Sequence, residues 1–366
     1  MDFNVKDKLD KDEYNSVVNF LDSLPFYCIE QHPDWNAKID GYPQTFFFST
    51  DDKKNVTCFA NIILSKGPFK VAKINFGPAF SDFEILKNAL LFLHNYFSSH
   101  KFIFFSLQLG INISDQTELL EYTIIKDFKV KYNFKPENLW SSISVDLTRQ
   151  EADILRSFSK GHKSAIKRAD LKSGLKTTIQ KECDSLESFI ALYIKMMEFR
   201  KLPYDKEHII HSFNRVNDFI NKNDKGFIEY IFDGDTLVGG VIIIYQGNSA
   251  RYLKGATDPE RKDIPILHLG LFEAMKFCKA TGKSTFDLWG YNHLADEKDQ
   301  TFYINRFKKG FSGNFNFYPK RMNFILNPVY YKVFKFLKYG KHKIERYQKK
   351  GSVLKNKIFS SKKDTE

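Results

Sequence analysis

The stretch LGLFEAMKFCKATGKSTFDLWGYN, residues 269–292, decides the predicted fold. Its apolar positions recur with helical spacing, and they predict a helix from about Ile266 to Ala280. Gly282 is the signal that ends this helix. Thr285–Leu288 then predict a short buried strand, which leads into the polar turn Asp287-Leu-Trp-Gly290. Functional residues often lie in a turn at the end of a buried strand. This stretch therefore predicts a mixed α/β fold with a candidate site at the turn.

Working outward, the second half of the chain has a regular order of elements. A helix over 148–157 is predicted with Thr148 as N-cap and Glu151 in capping-box spacing, and a basic helix closed by Gly174 follows. The next predicted elements are the strand Leu175–Gln180, the amphipathic helix Asp184–Arg200, the strands Gly226–Phe232, Thr236–Tyr245 and Ala250–Lys254, and a short helix over Phe302–Lys308. The succession of helix, strand, helix, three antiparallel strands, helix and strand is that of an acyltransferase fold of the GNAT type.

The first half repeats this order more loosely, with strands over Gln44–Ser49, Asn55–Leu64 and Lys101–Leu107 and a helix over Phe83–Phe97. We therefore expect an α/β (α+β) protein of two tandem GNAT-like domains, with mixed sheets flanked by helices. The predicted divisions are an N-terminal domain over 1–147, a C-terminal catalytic domain over 148–327 and a basic amphipathic tail over 328–366. A helix over Leu119–Lys126 and a strand over Trp140–Leu147 complete the first half.

The net charge of +12 is concentrated in the tail, because residues 331–366 carry 12 Lys/Arg and 3 Asp/Glu. Lys332, Lys335 and Lys338 interleave with an apolar stripe, which is typical of a helix on an anionic membrane surface. The stripe consists of Val329, Tyr330, Val333, Phe334, Phe336 and Leu337. Docking of this helix on the protein body, or tRNA binding by the tail, are the alternatives.

Other sequence features bear on the compartment. The four cysteines have no zinc-ligand spacing, the N-terminus is polar, and no apolar run reaches 18 residues. We therefore expect a cytoplasmic protein that contacts the inner face of the membrane without crossing it, and no bound metal.

Four segments resemble the Fem aminoacyltransferases, the FemA/FemB/FemX family that builds peptidoglycan cross-bridges. They are Gln31-His-Pro-Asp-Trp35, the basic stretch FSKGHKSAIKRADLKSGLKT (158–177), residues 269–292, and Phe307-Lys308 within FYINRFKKGF. In this order they cover about residues 25–330. The resemblance implies a tandem GNAT fold that transfers an aminoacyl group from aminoacyl-tRNA to an amine of a nucleotide- or lipid-linked cell-envelope precursor, with no tightly bound cofactor.

The resemblance also assigns roles to residues. It implies that the Phe307-Lys308 pair is catalytic, because amine acyl transfer passes through an oxyanion that a cation stabilises. Four basic side chains are expected to bind phosphate of the acceptor or tRNA, although a solvated helix face is the alternative: Lys160, Lys163, Lys167 and Arg168. Asp287, Trp289 and Asn292 are expected to bind substrate at the polar turn, with a structural cap of the turn as the alternative role for Asp287. Asp287, Asp296 and Glu297 are the candidates for the general base.

The sequence also departs from the family pattern. Lys38 lies one position from the family's phosphate-binding lysine, Tyr204 and His208 replace an Arg-Tyr pair, and the third strand has Lys254 beside Tyr252 where the family has a tyrosine. We still expect four residues at these positions to bind substrate, namely Lys38, Tyr204, Tyr252 and Lys254, but the identity of the acceptor stays open.

The loop before the helix at Ile266, DPERKDIPILHLG, lacks the paired glycines that hold a coenzyme A pyrophosphate. Two alternatives remain. One is an acyltransferase that uses acetyl-CoA, another acyl-CoA or a carrier protein and acts on an amino sugar of surface polysaccharide. The other is a non-catalytic membrane-surface or RNA-binding protein that keeps the fold.

Overall fold

The structure is a computed structural model that describes residues 1–35, 42–112, 128, 130–132, 141–172, 174–182, 186–299 and 301–338. Within these residues the chain forms two mixed β-sheets, each covered by helices. This architecture confirms the predicted α/β class. The predicted helix over 119–126 lies outside the described residues.

The first sheet combines strands from the first half with one strand from near the C-terminus. Its order is β1-β2-β3-β4-β6-β15-β7, with β5 paired to β3. The strands are β1 (Asp2–Lys6), β2 (Gln44–Thr50), β3 (Val56–Leu64), β4 (Val71–Ile74), β5 (Ala79–Phe80), β6 (Phe104–Leu107), β7 (Val130–Tyr132) and β15 (Met322–Ile325). The accompanying helices are α1 (Lys11–Ser23) and α2 (Phe83–Ser99), and the Asp82 carboxylate caps α2 by accepting the Ile85 N–H.

The second sheet has the order β14-β8-β13-β12-β11-β10-β9. Its strands are β8 (Ser141–Asp146), β9 (Leu175–Gln180), β10 (Gly226–Asp233), β11 (Thr236–Gln246), β12 (Ser249–Thr257), β13 (Thr285–Asp287) and β14 (Asn314–Phe317). The helices of this half are α3 (Glu151–Ser157), α4 (Lys160–Lys172), α5 (Glu187–Phe199), α6 (Lys206–Asn223), α7 (Ile266–Ala280) and α8 (Phe302–Lys309). Residues 328–338 are also helical.

The stretch from residue 266 to 292 folds as predicted. Helix α7 begins and ends at the expected residues, and it buries Leu269, Phe272 and Met275 at helical spacing. Strands β10, β11 and β12 are antiparallel neighbours, also as predicted. Helix α6 is not among the predicted elements, although Ile209, Phe213 and Val216 are buried along it at the same spacing.

The predicted capping box at Thr148 is wrong. Helix α3 begins at Glu151, and its N-cap Gln150 makes no side-chain cap. The backbone N–H and the hydroxyl group of Thr148 donate instead to the Asp146 carboxylate, at 2.9 and 2.6 Å. Because the chain turns where β8 ends, Thr148 closes that turn and is not free to cap the helix.

Two strands cross the predicted division between the halves. Strand β8, from before residue 147, pairs with β13 and β14 of the second sheet. Strand β15, from the end of the second half, pairs with β6 and β7 of the first sheet. The two sheets are therefore interlocked by exchange of one strand each.

The segment Gln31–Trp35 connects the two halves. The Gln31 amide group is fully buried; it donates to the Asn75 carbonyl at 2.7 Å and accepts from the Asn61 N–H at 3.1 Å. The ring of Trp35 packs edge-on against Phe219 of α6, with 5.0 Å between centroids. This segment of the resemblance therefore has a packing role between a loop of the first half and a helix of the second.

Candidate functional site at the divergence of two strands

The site is located where β12 and β13 separate. The two strands pair in parallel over three positions, and the last pair is Arg251 with Asp287. Strand β12 continues to Thr257, whereas the chain after β13 turns away through Trp289 and Gly290. Both turn residues are left-handed, with φ of +43° and +56°. A left-handed tryptophan is uncommon and persists only where its surroundings hold it.

Lys308 of α8 reaches this turn from the adjacent helix. Its side chain is buried, and the ammonium group donates hydrogen bonds to the carbonyl oxygens of Trp289 and of Gly290, the latter at 3.0 Å. Burial lowers the pKa of Lys308 to about 8, while the Asp287 carboxylate acts in the opposite direction. An ammonium group is therefore held inside the protein at the divergence of the strands.

Asp287 is the last residue of β13, at the start of the turn, and it is almost inaccessible to solvent. Its carboxylate accepts the Trp289 N–H at 2.7 Å, which fixes the start of the turn. Burial raises the pKa of Asp287, although the positive charges of Arg251 and Lys308 oppose this shift. The site thus contains one carboxyl group between two cations.

Arg251 joins the site to the first half. It is wholly buried, and its guanidinium group donates to the Glu30 carboxylate at 2.9 Å. The same group stacks 3.5 Å from the centroid of the Trp289 ring, a cation–π contact that is strengthened by desolvation. Arg251 therefore supports the tryptophan in its left-handed conformation.

Aromatic side chains from both halves enclose the turn. The rings of Phe76, Trp289 and Tyr318 pack mutually, with centroid distances of 5.2, 5.6 and 5.8 Å. Phe76 belongs to the first half, and Trp289 and Tyr318 belong to the second. The enclosure lowers the local dielectric, so charges inside it act more strongly than in water.

Phe307 has a packing role beside Lys308. Its ring contacts those of His268 and Phe311, at centroid distances of 4.9 and 5.3 Å, and its carbonyl oxygen accepts a hydrogen bond from His162 Nε2 at 2.8 Å. Burial lowers the pKa of His162 and that of His268, the latter to about 4. His162 therefore holds α8 against the basic helix α4 as a neutral side chain.

The predicted phosphate-binding cations lie on α4, the helix that carries His162. Lys160, Lys167 and Arg168 are exposed, whereas Lys163 is partly buried and donates to the Arg156 carbonyl at 3.2 Å. The helix buries His162 and Ile166 on one side and leaves these charges on the other. The structure thus connects the basic helix to Phe307 through its buried face.

The remaining predicted residues lie at several places. Asn292 closes the turn, because its N–H donates to the Asn305 side chain of α8 at 3.1 Å. Tyr252, which is half-buried, and Lys254, which is exposed, follow the divergence on β12. Tyr204 is exposed and its hydroxyl group donates to Glu198. Lys38 lies outside the described residues.

Asp296 and Glu297, the other base candidates, are exposed.

A cleft of about 820 Å³ opens between α5 and α6, away from Lys308. Its lining includes Glu198, the partner of Tyr204, together with Lys195, Lys206, Asn214 and Asp218. Tyr204 is therefore next to this cleft and not at the turn that Lys308 contacts.

Both basic side chains of the loop before α7 contact other residues of the protein. Arg261 pairs with Asp233 and lies 3.9 Å from Asp263, and the Lys262 ammonium group lies 4.3 Å from the centroid of the Phe199 ring. A coenzyme A pyrophosphate would have to displace these contacts to bind either side chain.

Arg251, Glu30 and His162 are site residues that the sequence pattern does not predict. Arg251 carried a signal, because a charged residue in the apolar strand SARYLKGA is unusual in a buried sheet. Glu30 and His162 gave no local signal, since their partners Arg251 and Phe307 are 221 and 145 residues away in sequence.

Comparisons with known proteins concern the fold and the GNAT domain. A family model for the acetyltransferase (GNAT) domain matches residues 156–308. A lipid II:glycine glycyltransferase of Staphylococcus epidermidis is 26% identical over 151 residues, which are 39% of this chain and 36% of that protein. The chain thus aligns with about a third of the length of the curated relatives it matches.

Two solved structures show the fold. A crystal structure of FemX superposes with a TM-score of 0.76 at 14% identity, over 91% of this chain and 99% of that chain. A tandem GNAT protein from the clavulanic acid biosynthesis pathway superposes with a TM-score of 0.53 at 8% identity, over 89% of this chain and 99% of the other. The chain therefore has the tandem GNAT fold.

Proposed function

We propose that this chain, a GNAT-fold protein of the Fem type, transfers an aminoacyl group to an amine of a lipid- or nucleotide-linked cell-envelope precursor. The observation that carries the proposal is the buried Lys308 ammonium group at the divergence of β12 and β13. In support, the aligned relative is named a lipid II:glycine glycyltransferase, and the matched family model describes an acetyltransferase (GNAT) domain. We assign the chemistry to the second half of the chain.

In this proposal Lys308 stabilises the transition state. The acceptor amine attacks the carbonyl carbon of the donor ester, and the carbonyl oxygen gains negative charge. Two hydrogens of the Lys308 ammonium group are directed to Trp289 and Gly290, and the third is assigned to this oxyanion. The ester C–O bond then breaks, the amide bond remains, and the proton lost by the amine balances the one gained by the leaving hydroxyl group. A preorganised cation in a dry site contributes strongly to such a step.

Arg251 and Asp287 are assigned supporting roles. Asp287 fixes the Trp289 N–H, and Arg251 supports the Trp289 ring, so both hold the carbonyl groups that orient Lys308. Phe307 positions Lys308 through its packing against His268 and Phe311. A cation that is held in place before the reaction needs little reorganisation during it.

Aminoacyl-tRNA is the donor that we propose. The basic face of α4, with Lys160, Lys167 and Arg168 exposed, suits the phosphates of a tRNA end or of the precursor. Against coenzyme A, Arg261 and Lys262 are already engaged by Asp233 and Phe199. Since a lipid-linked acceptor resides in the membrane, the proposal places the enzyme at the cytoplasmic face of that membrane.

Label transfer tests the proposal directly. The full chain is incubated with tRNA charged with a labelled amino acid, or with labelled acetyl-CoA, and with a lipid-linked muramyl-peptide precursor. Mass spectrometry of the precursor then shows which group was added. A mass increase of one aminoacyl residue supports the proposal, while addition of acetyl only would favour the coenzyme A alternative. Addition of neither group, with the lipid-linked and the nucleotide-linked precursor alike, would contradict an envelope acyltransferase.

A further inference from the structure

The helix at residues 328–338 is docked on the first sheet by one side only. Tyr331 is buried and Phe334 is half-buried. Tyr331 packs against Phe104 with 5.1 Å between ring centroids, and Phe334 packs against Phe104 and Phe69 at 5.3 and 5.8 Å. The predicted stripe thus divides, because Phe334 belongs to the docked side.

The opposite side of this helix exposes large apolar side chains. Helical spacing of about 100° per residue groups them in an arc of about 120°, which we call the apolar face. Its members and their exposed fractions are Val329 (69%), Tyr330 (56%), Val333 (44%), Phe336 (76%) and Leu337 (53%). Contiguous exposed apolar side chains of this size mark an interaction surface.

One lysine of the helix borders the apolar face. Lys332, Lys335 and Lys338 are all exposed, but in the helical projection only Lys332 is next to the apolar face. Lys335 lies on the side of Tyr331, with its ammonium group 5.7 Å from the centroid of that ring. The sequence after residue 338 adds nine Lys/Arg and three Asp/Glu. Charge of one sign beside an apolar strip complements a surface that is both anionic and greasy.

We propose that the apolar face of residues 328–338 binds the surface of an anionic lipid bilayer. The apolar side chains insert among the acyl chains, Lys332 contacts the lipid phosphates, and the remaining positive charge of the segment attracts the anionic surface over a longer range. RNA fits less well, because Val329, Val333, Phe336 and Leu337 offer no hydrogen bonds to a sugar-phosphate backbone. Within the described residues no helix has both the length and the hydropathy of a membrane span.

The helix is a fixed part of the body. Only residues 326 and 327 separate it from β15, and the N–H groups of Leu326 and Asn327 donate to the Ile103 carbonyl at 3.1 and 3.0 Å. The Tyr331 N–H then donates to the Asn327 carbonyl at 3.0 Å. Binding through the apolar face therefore orients the whole first sheet on the bilayer, which a flexible tail would not do.

Vesicle co-sedimentation of the full chain tests the proposal without any assay of activity. Vesicles of phosphatidylcholine alone are compared with vesicles that also contain phosphatidylglycerol. We expect binding to the anionic vesicles and a loss of at least about tenfold in the Phe336→Glu/Leu337→Glu double variant, since both apolar insertions are removed. The Lys332→Gln variant should lose about fivefold in binding to the anionic vesicles.

Leu91→Glu is the matched control, because Leu91 is an exposed leucine on α2, 41% accessible, outside this helix. It should bind vesicles like the parent chain, and thermal unfolding of every variant should stay unchanged. Equal binding by Phe336→Glu/Leu337→Glu and the parent, or no binding to either vesicle, overturns the proposal. Full displacement from the vesicles by tRNA, with the double variant also losing its binding to tRNA, would assign the surface to RNA and also overturn the proposal.

Discussion

The Arg251 guanidinium group and the Glu30 carboxylate form a hydrogen-bonded ion pair of 2.9 Å between the second half of the chain and the first. The Arg251 side chain is fully buried and the Glu30 side chain is 18% exposed. Arg251 also lies over Trp289, whose carbonyl oxygen accepts from Lys308. The ion pair between the halves is thus linked to the candidate catalytic lysine through Trp289.

Breaking this pair should destabilise the protein strongly. Arg251→Met leaves the Glu30 charge with its main partner removed, and we expect the free energy of unfolding to fall by about 3–5 kcal/mol. The double variant Arg251→Met/Glu30→Gln should lose less than the sum of the single variants. Urea unfolding followed by circular dichroism measures each value.

Lys222→Met is the control for that series, because it also removes an ion pair between the halves. The Lys222–Asp34 distance is 2.9 Å, but the lysine side chain is 63% exposed. We expect a loss of no more than about 1 kcal/mol. Equal losses of unfolding free energy in Arg251→Met and Lys222→Met would show that the buried pair contributes no more to stability than the exposed pair.

The pH dependence of turnover should report the Lys308 charge. Its pKa of about 8 means that the ammonium form prevails below pH 8 and is lost above it. If the cation stabilises the oxyanion, the turnover number falls as pH rises through about 8. A turnover number that rises through this range would instead identify neutral Lys308 as a base, and it would contradict the assigned role.

The same pKa predicts a change in stability with a defined sign. Lys308 titrates near 8 in the folded protein and near 10.5 in the unfolded chain, so between these values the unfolded chain binds more protons. Stability relative to Lys308→Met should therefore rise between pH 8 and 10.5, by about 3 kcal/mol. Chemical unfolding of both proteins at several pH values measures it, and a pH-independent difference would place the ammonium group in solvent.

Packing between α4 and α8 should position Lys308. A methyl group at Gly310 would overlap the His162 imidazole ring, so Gly310→Ala should cost about 1–3 kcal/mol of stability and lower turnover. His162→Ala introduced into this variant should recover part of the loss. Thermal unfolding and turnover are measured for both.

Gly161→Ala, on the same helix as His162, is the matched control. A methyl group there meets open space, and a helical alanine should stabilise by about 0.5–1 kcal/mol. If both alanine variants behave alike, the contact between Gly310 and His162 is not restrictive.

Much of the second half could be predicted because its signals are local. Helix α7 and strand β9 match their predicted bounds, since an apolar period, a glycine stop and alternating burial each involve only neighbouring residues. The resemblance directed attention to Lys308, and the structure brings it together with Asp287 and Trp289.

The exchange of strands could not be predicted, because it depends on distant pairings. Strand β15 reads as an ordinary apolar run, MNFI, and its partners are Phe104–Leu107 and Val130–Tyr132. Sequence periodicity fixes which face of a strand is apolar, but not which sheet the strand joins. The long-range pair between Arg251 and Glu30 was missed for the same reason.

The central claim is tested most directly by turnover of Lys308→Met beside Lys309→Met, in the label-transfer assay with the lipid-linked precursor. The two lysines are adjacent on α8, but Lys308 is buried and Lys309 is exposed. We predict that Lys308→Met lowers the turnover number by about 100- to 1,000-fold with the fold retained, and that Lys309→Met leaves it near the parent value. Equal turnover in the two variants would contradict the claim that Lys308 acts in catalysis.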